Sequence, residues 1–255
     1  MKNYSNLSDM TIKGWKSKYS QIRKQFGYSK KEDFESALLL NFILKQSTPL
    51  KEIQSKIQEK TVFVIGAGPS LSSGIPYLKK FKKTTKIVAD SAVKIILENK
   101  ILPDIVITDL DGDETSLKRI GKTNSIIVVH AHGDNIDKLP LVSGFKKCVG
   151  TTQTEPVGQI QNFGGFTDGD RCVFLAEQFN PKNIILFGMD FGKVIGKHSK
   201  TKKSTKQIKL KKLKKGKELL EWVSSKKKKN YYTTSKAIKG FKKICYKDLK
   251  YIVNS

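Results

Sequence analysis

Apolar residues recur along this chain with two different periods. Before residue 60 the period is helical. Trp15, Tyr19, Ile22 and Phe26 form one stripe, and Phe34, Leu38 and Phe42 form another, with Leu39 and Ile43 beside it. Ser29-Lys-Lys-Glu32 stands ahead of the second stripe as a capping-box pattern, which predicts a helix starting near Ser29. These aromatics read as core residues of an N-terminal helical segment, 1–58. After Lys60 short β-branched runs appear, at 62–65, 86–89, 104–108, 125–129, 147–150 and 183–187, with a seventh candidate at 231–234. Several are apolar at consecutive rather than alternate positions, as strands covered on both faces must be. Strands alternating with helices predict an α/β fold: a Rossmann-like, mostly parallel sheet with helices on both faces, spanning 59–255. Leu210, Leu213, Leu220 and Val223 predict a surface helix packed on that sheet.

Composition narrows the class. At 255 residues and 38% hydrophobic, the chain has the apolar content for a core, which excludes a disordered polymer or a collagen-like rod. No apolar run approaches the roughly 18 residues of a membrane span. The best, Ala37-Leu-Leu-Leu-Asn-Phe-Ile-Leu44, is short and holds Asn41. The first residues lack the apolar core of a secretion signal, and Cys148, Cys172 and Cys245 fit neither a disulfide frame nor a zinc site. A cytoplasmic location is expected. The formal charge is +26, and 22 lysines against three acids lie between Lys193 and Lys250. A lysine-rich insertion or lid around 193–229 has two readings: a rim that attracts an anionic ligand, or a solvated insertion. No aromatic residue interleaves the lysines from Lys197 to Lys217 and no arginine is present there, which argues against a single-strand nucleic-acid binder.

The chemistry gathers at strand ends, where open parallel sheets bind ligands. Gly66-Ala-Gly-Pro-Ser-Leu71 follows the first strand. Gly66, Gly68 and Ser70 read either as an anion cradle at a helix N-terminus or as a tight strand-to-helix turn. Asp109-Leu-Asp111-Gly-Asp113 follows the third. At a strand end, carboxylates at i and i+2 point the same way and suit Mg²⁺; the bland reading is an acidic turn with a helix cap at Asp113. A calcium loop fails, because Glu114 and Ile120 stand at its glycine and bidentate-glutamate positions. His130 and His132 read either as neutral hydrogen-bonding residues or as a transition-metal pair, with no Cys or third His close in sequence, and Asp134 reads as the third carboxylate of a metal cluster. The segment from Gly164 to Arg171 opens a helix and brings Asp168 and Arg171 either to a phosphate or polar ring or into a plain cap.

Taken together these motifs resemble the archaeal type of 6-hydroxymethyl-7,8-dihydropterin pyrophosphokinase, itself similar to thiamine pyrophosphokinases. The resemblance rests on Gly66-Ala-Gly-Pro-Ser-Leu71, Ala89-Asp-Ser-Ala92, Leu102-Pro-Asp-Ile-Val-Ile-Thr-Asp-Leu-Asp-Gly-Asp113, His130-Ala-His-Gly-Asp-Asn135, Gly164-Gly-Phe-Thr-Asp-Gly-Asp-Arg171 and Gly188-Met-Asp-Phe-Gly192. Ser91 departs from the Asp-Gly-Gly of the thiamine enzymes. The resemblance implies Mg²⁺-dependent transfer of diphosphate from ATP to the pterin hydroxymethyl group, releasing AMP. It implies Asp90, Asp109 and Asp111 as catalytic residues, and Asp109, Asp111 and Asp134 as metal ligands. Gly66, Gly68, Ser70 and Arg171 would meet nucleotide or phosphate, with Asn135, Asp168 and Asp190 near pterin or nucleotide. The expected partners are ATP and a pterin alcohol, with no membrane and, despite the charge, no nucleic acid; a homo-oligomer stays open. Three other readings compete: a metal-dependent nucleotide-sugar glycosyltransferase related to motility accessory proteins, a nicotinamide- or methyl-donor-binding Rossmann protein, which leaves the Asp109–Asp113 acids unexplained, and a basic nucleic-acid-binding protein.

Overall fold

A computed structural model describes residues 10–192, 206–227 and 229–254. Eight parallel strands form one sheet: β1 (Thr61–Ile65), β2 (Thr85–Ala89), β3 (Ile105–Thr108), β4 (Ile126–Ala131), β5 (Cys148–Thr152), β6 (Asn183–Phe187), β7 (Asn230–Thr233) and β8 (Lys242–Lys243). Their order is β5-β4-β3-β2-β1-β6-β7-β8, with every pairing parallel. The chain steps outward from β1 to β5 in one direction and then from β6 to β8 in the other. The order therefore reverses between β1 and β6, and such a switch point leaves a crevice at the carboxyl ends of the strands.

Consecutive apolar residues do what their pattern implies. In β1, Val62 and Val64 face one layer while Phe63 and Ile65 face the other. The first layer holds α1 (Trp15–Phe26), α3 (Leu50–Ile57), α7 (Asp168–Gln178) and α8 (Lys206–Lys226). The second holds α2 (Lys30–Ile43), α4 (Leu71–Lys80), α5 (Asp90–Glu98), α6 (Glu114–Gly121) and α9 (Leu249–Asn254). The helices of 1–58 thus divide their apolar side chains between the two layers. The late amphipathic stretch is α8, which packs mainly on α7 through Gly216, Leu219, Leu220 and Val223. Residues 193–205 and 228 of the lysine-rich stretch lie outside the described residues.

One helix face departs from expectation. Ser29 does cap α2, its side chain accepting from the Glu32 N–H. Yet Phe34, Leu38 and Phe42 point outward, Phe42 being 85% exposed, while Ala37 and Leu40 are buried together with Asp33 and Ser36. The polar Asp33 chooses the face. Its carboxylate, 2% exposed, accepts from Tyr19 Oη at 2.6 Å, Gln153 Nε2 at 2.8 Å and the Gly133 N–H at 3.0 Å. Turning α2 to bury Phe34 instead would strand three donors that lie away from water.

Candidate functional site

The site starts from three carboxylates, one delivered after β2 and two by the loop after β3. Asp90 opens α5 directly after β2 and is buried. Its Oδ2 accepts from Thr108 Oγ1 at 2.5 Å and from the Gly112 N–H at 3.0 Å. A Cβ on Gly112 would stand 2.0 Å from Asp90 Oδ1, so only glycine lets the β3 loop close on this carboxylate. Asp109 and Asp111 follow β3, but not as strand alternation predicts. The strand ends at Thr108, and Leu110 takes a left-handed conformation with φ 65°, its N–H bonded to Thr108 Oγ1. A buried leucine at positive φ is strained, and such strain persists where the surroundings enforce it. Both acids reach the same site through that kink, while Asp113 caps α6 by accepting from the Ser116 N–H and hydroxyl.

The fourth carboxylate comes from α7. Thr167 and Asp170 form the capping box of this helix, so Asp168 is released from capping duty. One oxygen each of Asp90, Asp109, Asp111 and Asp168 falls within 4.8 Å of the others. Asp134 is not part of this group; its side chain is exposed and stands 3.9 Å from His132. The sequence paired Asp134 with the β3 acids because it follows the next strand. The chain turns away there into a run of 3-10 turns, Gly133–Gly144, and the partner arrives from α7 instead.

Burial, joined by the charges of neighbouring groups, sets the protonation of these acids. Burial first, then the charges of Asp109 and Asp111, push Asp90 up to about 7 despite its two hydrogen bonds. Burial and Asp109 push Asp111 up to about 6, and burial with Asp109 raises Asp168 as well. Asp109 is the exception. Burial would raise it, but the His132 imidazole, 3.6 Å from its Oδ2, and the charge of Arg171 together hold it well below the carboxylate range. Asn135 supports the same residue from beneath, donating to the carbonyls of Asp109 at 2.7 Å and His130 at 2.8 Å. His130 is fully buried and its acidity is shifted so that the ring stays neutral, as the hydrogen-bonding reading predicted. Among the described residues, Asp90 Oδ1 and Asp109 Oδ1 are buried and find no hydrogen-bond partner. Orphaned carboxylate oxygens facing a knot of like charge fit a hard divalent cation.

Three of the four acids border a pocket at the switch point. Gly66, Gly68, Asp109, Asp111, Phe166, Asp168, Met189, Asp190, Lys209 and Lys212 are among the residues that line it. Asp90, Ser70, Asp134, Asn135 and Arg171 are not among its lining residues. The glycine loop is spent on the protein itself. The Gly66 N–H donates to Phe187 O, the Gly68 N–H to Gly188 O at 2.7 Å, and the Ser70 N–H and hydroxyl to Asp190 Oδ2 at 2.9 and 3.0 Å. A Cβ on Gly68 would meet Asp190 at 2.3 Å and Gly188 O at 2.5 Å. Here the tight turn accounts for the glycines, and the Asp190 carboxylate takes the helix position an anion would use. Arg171 reaches Asp168 at 3.4 Å and Gln153 at 3.4 Å, and Gln153 leads back to Asp33. The N-terminal helices thereby brace the acid loops from behind, a role with no motif in the sequence. Lys209 and Lys212 also escaped the sequence reading, because nothing in a lysine run marks which lysines face inward.

Among the described residues no helix is long and apolar enough to cross a membrane. Over most of its length the chain is similar to three curated archaeal proteins, each named 6-hydroxymethyl-7,8-dihydropterin pyrophosphokinase. The Pyrococcus furiosus protein is 47% identical, covering 83% of this chain and 93% of its own. The Methanocaldococcus jannaschii protein is 42% identical over 85% and 97%, and that of Methanothermobacter thermautotrophicus 40% over 75% and 83%. In three dimensions the chain is similar to the MAf glycosyltransferase from Magnetospirillum magneticum AMB-1, with a TM-score of 0.62 and 14% identity, over 92% of this chain and 42% of that one. That likeness shows a shared fold. Residues 37–196 match the family described as 6-hydroxymethylpterin diphosphokinase MptE-like, and with such relatives the chain belongs to that family of enzymes.

Proposed function

We propose that the protein transfers diphosphate from ATP to the hydroxymethyl group of 6-hydroxymethyl-7,8-dihydropterin, with Mg²⁺, giving AMP and the pterin diphosphate. The observation that carries this reading is the group of four carboxylates, two with orphaned oxygens, of which Asp109, Asp111 and Asp168 line the switch-point pocket. The activity for which the relatives are named supports the acceptor. Asp109, Asp111 and Asp168 would hold the cation. When bound, it supplies neutralising charge to phosphate oxygens, the main requirement of phosphoryl-type transfer.

The remaining roles belong to the chain. The acceptor hydroxyl oxygen forms a bond to the β-phosphorus, the bond from that phosphorus to the α–β bridging oxygen breaks, and AMP departs with the bridging oxygen. Asp90 Oδ1 takes the hydroxyl proton; Thr108 and Gly112 hold the other oxygen and so fix the direction of the free one. His132 and Arg171 keep Asp109 ionised. Asn135 holds the Asp109 backbone in place.

Purified protein with Mg²⁺, ATP and the dihydropterin tests the reading by the identity of the products. AMP with diphosphorylated pterin is expected. ADP would replace it with simple kinase chemistry, and hydrolysis of a nucleotide sugar without pterin turnover would replace it with the glycosyltransferase reading.

A further inference from the structure

The pocket face of α8 carries charge of the opposite sign. Gly216, Lys212 and Lys209 lie at i, i−4 and i−7, on one side of the helix. Gly216 is buried, and a Cβ there would stand 3.0 Å from Asp170 Oδ1 and 3.2 Å from Thr167 Oγ1. Its missing side chain lets α8 settle on the capping box of α7, the same box that frees Asp168. One and two turns earlier, Lys212 and Lys209 then line the pocket with Asp109, Asp111 and Asp168. The Lys212 ammonium stands 5.4 Å from the Tyr28 ring centroid and 6.0 Å from that of Phe166, which confines a long side chain to one region. The charge of Lys209 acts on Asp111.

A triphosphate brought beside four carboxylates needs positive charge from the protein as well as from a cation. The usual supplier in this fold, the backbone at the start of the first crossover helix, has its Gly66, Gly68 and Ser70 amides committed elsewhere. We propose that Lys209 and Lys212 form the cationic wall of the donor subsite and bind the terminal phosphates of the nucleoside triphosphate, the group that is transferred. This deepens the function proposed above and rests on it for the identity of the donor. Lysine suits the task because its ammonium is a compact point charge on a stem that can follow the moving phosphates.

Inorganic triphosphate with Mg²⁺ is the probe, titrated by calorimetry into the full chain and into Lys→Met variants. Lys209→Met and Lys212→Met should each weaken binding about tenfold, the scale of one charge-assisted contact. The same charge change at exposed Lys211 or Lys214 should alter it less than about twofold, since screened surface charge contributes little. Lys212→Arg should recover most of the loss, and AMP, which lacks the terminal phosphates, should bind all forms alike. Triphosphate binding that is unchanged in Lys209→Met and Lys212→Met, or equally weakened in Lys211→Met and Lys214→Met, overturns the assignment. Thermal melts run in parallel confirm that each variant is folded. Pterin turnover is read separately. A wild-type protein that binds triphosphate through these lysines but never diphosphorylates the pterin keeps this inference and removes the acceptor.

Discussion

Two pairs of loops at the same edge of one sheet reach opposite ends. The loops after β1 and β6 meet each other and satisfy each other: amide to carbonyl at Gly68 and Gly188, amide and hydroxyl to carboxylate at Ser70 and Asp190. The loops after β2 and β3, joined by the start of α7, gather four carboxylates and leave two buried oxygens without a partner among the described residues. Both pairs are rich in Gly and Asp, and both contain a non-glycine residue at positive φ, Phe191 in one and Leu110 in the other. Composition and strain therefore do not separate a brace from a site. Whether the polar groups find partners inside the protein is what differs, since an unpaired buried carboxylate is costly and a bound cation would relieve that cost here.

The comparison can be pressed hardest at the acids. Asp109→Asn and Asp111→Asn should each lower turnover by at least about a thousandfold, the scale for losing a preorganised charge at the reacting centre, with melting temperatures at or above wild type. Turnover within about tenfold of wild type would remove that residue from the mechanism. Next comes Gly112→Ala. Its new methyl group displaces Asp90, and a shift of this kind should lower kcat about a hundredfold; a full-rate variant would mean that Asp90 tolerates movement and has no positioned role.

On the brace, Gly68→Ala should act on stability instead. Overpacking against Gly188 and Asp190 should destabilise by about 2 kcal/mol, read as a lower melting temperature, while kcat of the folded fraction stays within about threefold. A variant that melts like wild type but loses nucleotide binding would turn this loop back into a phosphate cradle. The smallest effect is on pH dependence. With Asp90 raised to about 7 and Asp111 to about 6, the metal-free protein favours their protonated forms. The stability they contribute is fully present below their unfolded range near pH 4 and is lost as pH rises through 6 to 7. A divalent cation binds the ionised forms, so Mg²⁺ should raise the melting temperature more at pH 8 than at pH 5. An equal rise at both pH values would place the cation elsewhere.

Much of this was legible in the chain. The strands announced themselves because burial on both faces demands consecutive β-branched residues, and the acids after β3 stood out by their density. Three features did not show. β8 is two lysines whose strand character comes only from pairing with β7. The outward turn of Phe34, Leu38 and Phe42 follows from hydrogen bonds that Asp33 makes to residues far along the chain, which no helical period records. The exchange of Asp134 for Asp168 depends on where α7 begins above the sheet.

The amino-acid order alone determined the layered architecture, the sheet edge at which the polar loops gather and the acids of the β3 loop, since each follows from local period and residue chemistry. Which carboxylate completes the cluster, which lysines among many face it, and that the glycine loop is consumed in bracing were decided only by the tertiary structure. Those outcomes depend on distances between segments that are remote in sequence, and a hydrogen bond or a charge pair is settled within a few ångströms.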